Sequence, residues 1–396
     1  MTRSPAPSFA LALASISFLG PLAVHLFLPA IPAVKAALGL SESAAELTFS
    51  VSLFGMALAT LVCGSLSDRY GRRPVLLSGL GLFLAGSVVA AAAGTMAILV
   101  AGRLAQAVGA GCGMTLVRTI ARDAYGPERL VKAIAYLTMA YTVGPMIAPL
   151  VGGSLIDALG WRSVFAFALV AGLAIATAAY VAIGETHPDR SAAATAGVLQ
   201  GYAALFGRLR FTALVLQTGL MTGAFMTLAT AASSLMKEAL QRPAAEFGLY
   251  FLLFPVGYFL GNLVSTRVGN RAATETMVLA GSTLSVTAIA VQASLLLAGE
   301  LGAGAIFLPG FFITMAQGIA LPYAQAGAMA TIPQLAGTAA GIGVFVQNLC
   351  GAAFVQLYGE VADGTVAPML AVMGLAGALC LVAGATPLVL ARLTPR

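Results

Sequence analysis

The chain has 396 residues, 60% of them hydrophobic and only 9% charged, with a mean hydropathy of +0.96. Soluble domains carry about 25% charged residues, and disorder requires low hydrophobicity with high charge, so a soluble enzyme and a disordered chain are both excluded. The apolar runs are continuous over roughly 20 residues and do not alternate over about 10, which points to membrane helices and away from an outer-membrane barrel.

Twelve apolar segments are expected in chain order, at roughly 8–33, 46–66, 75–94, 97–120, 131–155, 163–183, 211–236, 246–267, 275–298, 302–325, 336–358 and 366–391. Each approaches or exceeds the roughly 20 residues that cross a hydrocarbon core. Helices satisfy their own backbone groups over such lengths, so the expected fold is an all-α membrane protein. Met1–Phe9 leads into the first run without a clean small-residue cleavage site, so that run reads as a span and not as a removed signal peptide. Cys63, Cys112, Cys350 and Cys380 all fall inside apolar runs, with no CxxC and no Cys/His cluster, so neither a metal site nor a disulfide framework is expected. His25 and His187 are the two histidines, no Ser/His/acid set shares one depth, and no GxxxxGK[ST] occurs. The chain therefore reads as neither an enzyme nor an ATP-driven pump, and no cofactor is expected.

Topology follows from Lys and Arg. With the N-terminus inside, cytoplasmic segments hold 14 of these residues and outer loops 4 (Lys35, Arg162, Lys237 and Arg242), which places both ends in the cytoplasm. The net charge of +6 is thus read as cytoplasmic loops and not as a nucleic-acid surface. The longest polar stretch, between Gly184 and Leu209, divides the chain into an N-terminal six-helix bundle (1–184), a cytoplasmic linker (185–210) and a C-terminal six-helix bundle (211–396). Ser67-Asp68-Arg69-Tyr70-Gly71-Arg72-Arg73 and Ser265-Thr266-Arg267-Val268-Gly269-Asn270-Arg271 match at four of seven positions, 198 residues apart. Two pseudo-symmetric bundles around a central site is the economical reading; chance likeness of two short basic loops is the alternative.

Gly64-Ser65-Leu66-Ser67-Asp68-Arg69-Tyr70-Gly71-Arg72-Arg73-Pro74 reads as a tight turn, with Gly71 free to adopt a conformation closed to other residues. Asp68 among Arg69, Arg72 and Arg73 could latch two helices. The string resembles the loop 2–3 signature of the major facilitator superfamily. Arg103-Leu104-Ala105-Gln106-Ala107-Val108-Gly109 resembles the span 4 motif of that superfamily's proton-coupled exporters. Gly144-Pro145-Met146-Ile147-Ala148-Pro149-Leu150-Val151-Gly152-Gly153 resembles its span 5 antiporter motif. Pro21 to Pro32, with Arg122-Asp123 after span 4 and Glu185-Thr186 after span 6, resembles the Bcr/CflA-type drug:proton antiporters. The resemblance implies export of small molecules in exchange for protons; the positive-inside bias and short loops suit a bacterial inner membrane, and a monomer is expected. It also implies a conformational latch of Asp68, Arg69, Arg72, Arg73 and Asp123. Physically, Gly144, Gly152 and Gly153 allow close helix approach and Pro145 and Pro149 bend the helix, so this stretch is a candidate hinge or ordinary glycine packing.

Arg103 falls about six residues below the outer end of span 4. A membrane-embedded arginine is a functional-site hypothesis by default, with snorkelling to the surface as the alternative. Arg118 sits within a turn of the cytoplasmic end. The resembled exporters carry an acid where this chain has His25, and none of the 14 acids lies at mid-membrane. His25, Glu46 and Arg103 form the candidate proton-coupling set, since histidine titrates near neutral pH and a buried Glu46 could tune it or carry the proton. The alternatives are a hydrogen-bonded neutral ring for His25 and a solvated first-turn acid for Glu46. Tyr141, Gln217, Asn262, Gln292, Gln317, Tyr323, Gln325, Gln347, Asn348 and Gln356 are either cavity lining or interhelical glue. Tyr141 and Gln347 are the candidate substrate contacts among them, with Phe225 and Met226 as an adaptable apolar wall. The scarcity of buried acids favours neutral or weakly charged, amphiphilic compounds. Proton-independent metabolite exchange and a receptor without transport are the competing functions.

Overall fold

A computed structural model describes residues 7–186 and 198–393. Among the described residues every regular element is helical. Twelve runs are long and apolar enough to cross a bilayer: α1 Pro7–Leu38, α2 Glu42–Tyr70, α3 Arg72–Ala91, α4 Met96–Tyr125, α5 Ala140–Leu159, α6 Arg162–Ala182, α7 Leu209–Ala239, α8 Ala244–Val268, α9 Thr274–Leu297, α10 Ala303–Thr331, α11 Pro333–Val361 and α12 Ala367–Leu390. Each coincides with one expected segment, because hydrocarbon offers the backbone no partner but itself.

Three departures have local causes. First, α1 is broken. It runs as Pro7–Ile16, Leu19–Val24, a 3-10 turn Leu28–Ala30 and Ile31–Leu38. Pro29 and Pro32 sit at the starts of the last two pieces, where their missing N–H groups cost least. His25 closes the second piece, donating its N–H to the Pro21 carbonyl at 2.9 Å.

Second, helical hydrogen bonding continues from Met96 to Leu159, where a loop was expected between spans 4 and 5. A straight helix would hold Arg103 and Gly152 roughly 70 Å apart. Arg103 instead reaches the Ala23 carbonyl and Gly152 abuts Leu26, so the element doubles back between its two apolar stretches.

Third, the linker 185–210 is not wholly polar. Its residues 187–197 lie outside the described residues, but Val198–Phe206 is a helix whose Leu205 is fully buried against Phe211, Leu214 and Ile342.

Contacts group the chain into two units: 1–40 with 47–195, and 41–46 with 196–396. Within the first, α3 and α4 touch backbone to backbone. A Cβ at Gly86 would lie 2.6 Å from the Gly102 carbonyl oxygen, and one at Gly109 2.5 Å from the Phe83 nitrogen. Within the second, a Cβ at Gly281 would lie 2.8 Å from the Ala316 carbonyl oxygen, so α9 meets α10 in the same way. Without a hydrophobic drive between helices in lipid, small residues earn association through close packing.

Candidate transport and gating sites

Arg103 lies in the second turn of α4, whose first turn is capped by the Thr95 hydroxyl. The residue is 1% exposed, so it does not snorkel. Its Nε donates to the Thr48 carbonyl at 3.2 Å, and one terminal nitrogen donates to the Ala23 carbonyl at 2.7 Å and to Gln106 Oε1 at 2.8 Å. The guanidinium lies 4.2 Å from the Phe27 ring centroid and 5.8 Å from that of Phe165. Hydrogen bonds to a charged group contribute about 1.5–3 kcal/mol each, and a desolvated cation–π contact about 2. Together these offset a burial cost of several kcal/mol. The other terminal nitrogen, Nη2, has no hydrogen-bond partner among the described residues.

Behind Arg103 runs a buried polar chain. Gln106 Nε2 donates to Ser87 Oγ at 2.9 Å, and Ser87 Oγ donates to the Phe83 carbonyl at 2.7 Å. Gln106 falls within the span 4 motif, one turn from Arg103. Ser87 is on α3, and only the glycine contact that brings the helices together reveals it.

His25 and Glu46 are both buried, at 7% and 1% exposure, so Glu46 is not the solvated first-turn acid considered above. Arg103 spans the two segments that carry them: Ala23 is two residues before His25, and Thr48 two residues after Glu46. Glu46 also packs on Gly359 of α11, where a Cβ would lie 2.8 Å from its own.

At the cytoplasmic side, Gly71 has φ +99° and ends α2. Arg72 follows, 4% exposed. Its Nε donates to Asp123 Oδ2 at 3.0 Å, and a terminal nitrogen donates to Ser67 Oγ at 2.7 Å and, at close range, to Asp68. Arg73 donates to the Tyr180 carbonyl at 2.9 Å and lies over that ring. Arg69 stands over the adjacent Tyr70 ring and makes no ion pair among the described residues. Glu185, outside the expected latch set, joins this network. Its carboxylate accepts from the Arg72 N–H at 2.9 Å and the Arg73 N–H at 3.3 Å, satisfying orphan donors at the start of α3. The only sequence signal for it was the Glu185-Thr186 likeness after span 6. Arg118 is exposed.

The second unit answers this loop with different chemistry. Gly269 again has positive φ, +52°. The Tyr323 hydroxyl donates to the Gly269 carbonyl at 2.6 Å, and Ser265 Oγ donates to the Gly318 and Ile319 carbonyls at 3.1 and 2.9 Å. The matching loops thus share the glycine turn, while one is held by an ionic network and the other by neutral hydroxyls.

The span 5 stretch packs on the broken part of α1. A Cβ at Gly144 would lie 2.5 Å from Pro21 Cβ, and one at Gly152 3.2 Å from Pro29 Cγ. Pro149 and Gly153 are buried, and Pro145 is half-buried. Of the polar residues within spans, Gln217 donates to Ser282, Gln317 to Thr222, and Gln292, Asn262 and Asn348 to backbone carbonyls, all as interhelical or intrahelical glue. Tyr141 is half-buried. Phe225 packs edge-on to Phe254 with centroids 5.6 Å apart, inside an aromatic cluster, and neighbouring Met226 is buried. Gln347 is half-buried, and its Nε2 has no partner among the described residues.

Residues 13–355 match the family model described as Major Facilitator Superfamily. The chain belongs to that superfamily. This superfamily member is 28% identical to Multidrug resistance protein D of Escherichia coli (strain K12) over 399 residues, covering 96% of each chain. It is 35% identical to Multidrug resistance protein MdtL of Escherichia coli O81 (strain ED1a) over 193 residues, 49% of this chain and 48% of that protein. Its fold resembles the crystal structure of a D-xylose-proton symporter, with TM-score 0.76, 16% identity and coverage of 95% and 96%. The POT family transporter PepTSo gives TM-score 0.76, 15% identity and coverage of 98% of both chains. The superfamily member is an integral membrane transporter with twelve transmembrane helices in two pseudo-symmetric bundles, and not an enzyme.

Proposed function

We propose that the chain exports small amphiphilic, neutral or weakly charged drug-like compounds in exchange for protons, by alternating access. It works as a monomer in a bacterial inner membrane with both termini in the cytoplasm. The observation that carries this reading is Arg103, a fully buried cation whose backbone partners, Ala23 and Thr48, stand two residues in sequence from two other buried titratable residues, His25 and Glu46. Such an investment is expensive in a membrane protein and marks a substrate or proton path. Protonation of His25 or Glu46 changes the charge on the segments that carry them, and that change biases which side of the membrane the site opens to. Tyr141 and Gln347 contact the substrate, with Phe225 and Met226 as an adaptable apolar wall. The small number of acids within the spans suits uncharged cargo. The names of the multidrug-resistance relatives support drug-like substrates.

Opening and closing is governed by the Arg72 network as latch and by Gly144, Pro145, Pro149, Gly152 and Gly153 as the contact that flexes against α1. Residues 1–184 and 211–396 act as the two moving bundles, joined by 185–210. The test is uptake of a phenicol antibiotic into inverted membrane vesicles from a host lacking its own exporters. Imposed inward acidification drives uptake by the parent chain, and Arg103→Ala abolishes it. Uptake that ignores the pH gradient would mark a facilitator, and no uptake across a broad panel a receptor; either overturns the proposal.

A further inference from the structure

The two matching loops differ in how their charge is compensated. Asp68 and Arg72, which pair in the first loop, are replaced by Thr266 and Asn270 in the second, while the arginines at the other two positions are kept as Arg267 and Arg271. Arg267 and Arg271 are exposed, and so is Arg208 just before α7. None of the three makes an ion pair among the described residues. The acid nearby, Glu275 in the first turn of α9, is already taken: Arg210 Nη2 donates to its Oε1 at 2.7 Å.

Contacts bring these arginines to one end of the second unit. The Arg210–Glu275 bond joins the start of α7 to the start of α9. Arg208 is two residues before the one and Arg271 four before the other, and four residues of chain span at most about 14 Å. Tyr323, whose hydroxyl holds the Gly269 carbonyl between Arg267 and Arg271, packs on the same core cluster that buries Leu205 of the linker helix Val198–Phe206. That helix carries no charged residue. Leu205 and Tyr202 spend one side of it on the core cluster. Ala203, Ala204 and Phe206 on the other side are exposed, Phe206 at 47%, and Leu209 at the start of α7 is 59% exposed. Apolar side chains turned outward beside guanidinium groups match the boundary of a bilayer, where acyl chains meet phosphates.

We propose that this end of the second unit is a binding surface for an anionic phospholipid of the leaflet on the linker's side. Arg208, Arg267 and Arg271 hold the headgroup phosphate, for which the planar guanidinium fork is suited, and Phe206 and Leu209 lie along the upper acyl chains. A zwitterionic lipid carries its own cation, which competes for the phosphate, and a free phosphate has no chain to cover Phe206. The inference goes beyond the export reading and takes from it only that the linker's side is cytoplasmic.

The test is thermal unfolding of the purified full-length chain in dodecyl maltoside micelles doped with dioleoyl phosphatidylglycerol. The midpoint should rise saturably with the lipid, and high salt should remove most of the rise. Dioleoyl phosphatidylcholine, and glycerol phosphate in solution, should produce little of it. Arg208→Gln, Arg267→Gln and Arg271→Gln should each raise the half-saturating lipid fraction roughly fivefold, and Phe206→Ser should raise it without changing the salt dependence. Arg242→Gln, at the opposite end of the same unit and paired with Glu246, should leave it unchanged. An equal response to phosphatidylcholine, a rise reproduced by glycerol phosphate alone, or indifference to all three arginine substitutions would overturn the proposal. So would an equal effect of Arg242→Gln, or a rise produced equally by soluble polyglutamate, which would mark an acidic protein partner. If the substituted chains do not fold, the lipid and salt series on the parent decides. The readout involves no transport, so its failure and the failure of the export reading are separate outcomes.

Discussion

Asp123→Asn should weaken the chain more than Asp68→Asn, although both acids contact the same arginine. Arg72 has a side-chain exposure of 5% and Asp123 9%, whereas Asp68 is 54% exposed. Removing one partner of a buried pair costs about 3–5 kcal/mol. Asparagine keeps an acceptor near Arg72 Nε, so the loss narrows to the gap between a charge-assisted and a neutral hydrogen bond, about 1–2 kcal/mol. The Asp68 contact is wet on one side, and exposed pairs contribute about 0.2–1 kcal/mol. The assay is a double-mutant cycle with Arg72→Gln, read by reversible unfolding of the purified chain in mixed detergent. The Arg72–Asp123 coupling should exceed the Arg72–Asp68 coupling by about 1 kcal/mol, roughly fivefold in the unfolding constant. Arg69→Gln, whose guanidinium lies over Tyr70 and makes no ion pair among the described residues, should change nothing measurable. Equal couplings for the two acids, or an Arg69→Gln cost as large as that of Asp123→Asn, would refute the reasoning that burial at Asp123 makes this contact the stronger grip.

Glu185→Gln should loosen the start of α3, because a carboxylate on orphan N–H groups at a helix N-terminus contributes about 0.3–1 kcal/mol; amide hydrogen exchange at Arg72 and Arg73 reads this directly. Gly86→Ala should destabilise by about 1–3 kcal/mol through overpacking against α4. Gly81→Ala on the same helix, where a Cβ meets nothing within 4 Å, should be neutral or stabilising by about 0.5–1 kcal/mol; thermal unfolding of the two variants separates them, and equal shifts would contradict the packing. Tyr323→Phe should cost about 1 kcal/mol and raise proteolytic sensitivity near Gly269, whose carbonyl loses its 2.6 Å donor.

Much of this protein was legible in its amino-acid order. The number of spans, their approximate edges and the all-helical fold follow from apolar run length alone, since hydrocarbon forces each backbone to satisfy itself. The glycine turn at Gly71 was readable too, because a tight reversal between two helices favours a residue free to take a positive φ. Arg103 announced itself by the expense of a cation inside an apolar run. What the order of residues left open was every relation between helices. Whether Arg103 snorkels, whether Glu46 is wet, which arginine of Arg69, Arg72 and Arg73 holds the acids, and whether Ser87 or Glu185 matters depend on which faces meet. Twelve helices of similar hydropathy carry almost no directional signal about their partners, because lipid is as apolar as the side chains facing it. Small residues then choose the contacts: Gly86 with Gly102, Gly111 with Ala59, Gly144 with Pro21. These choices are made in three dimensions, where the absence of a Cβ at one position brings a polar group on another helix within reach.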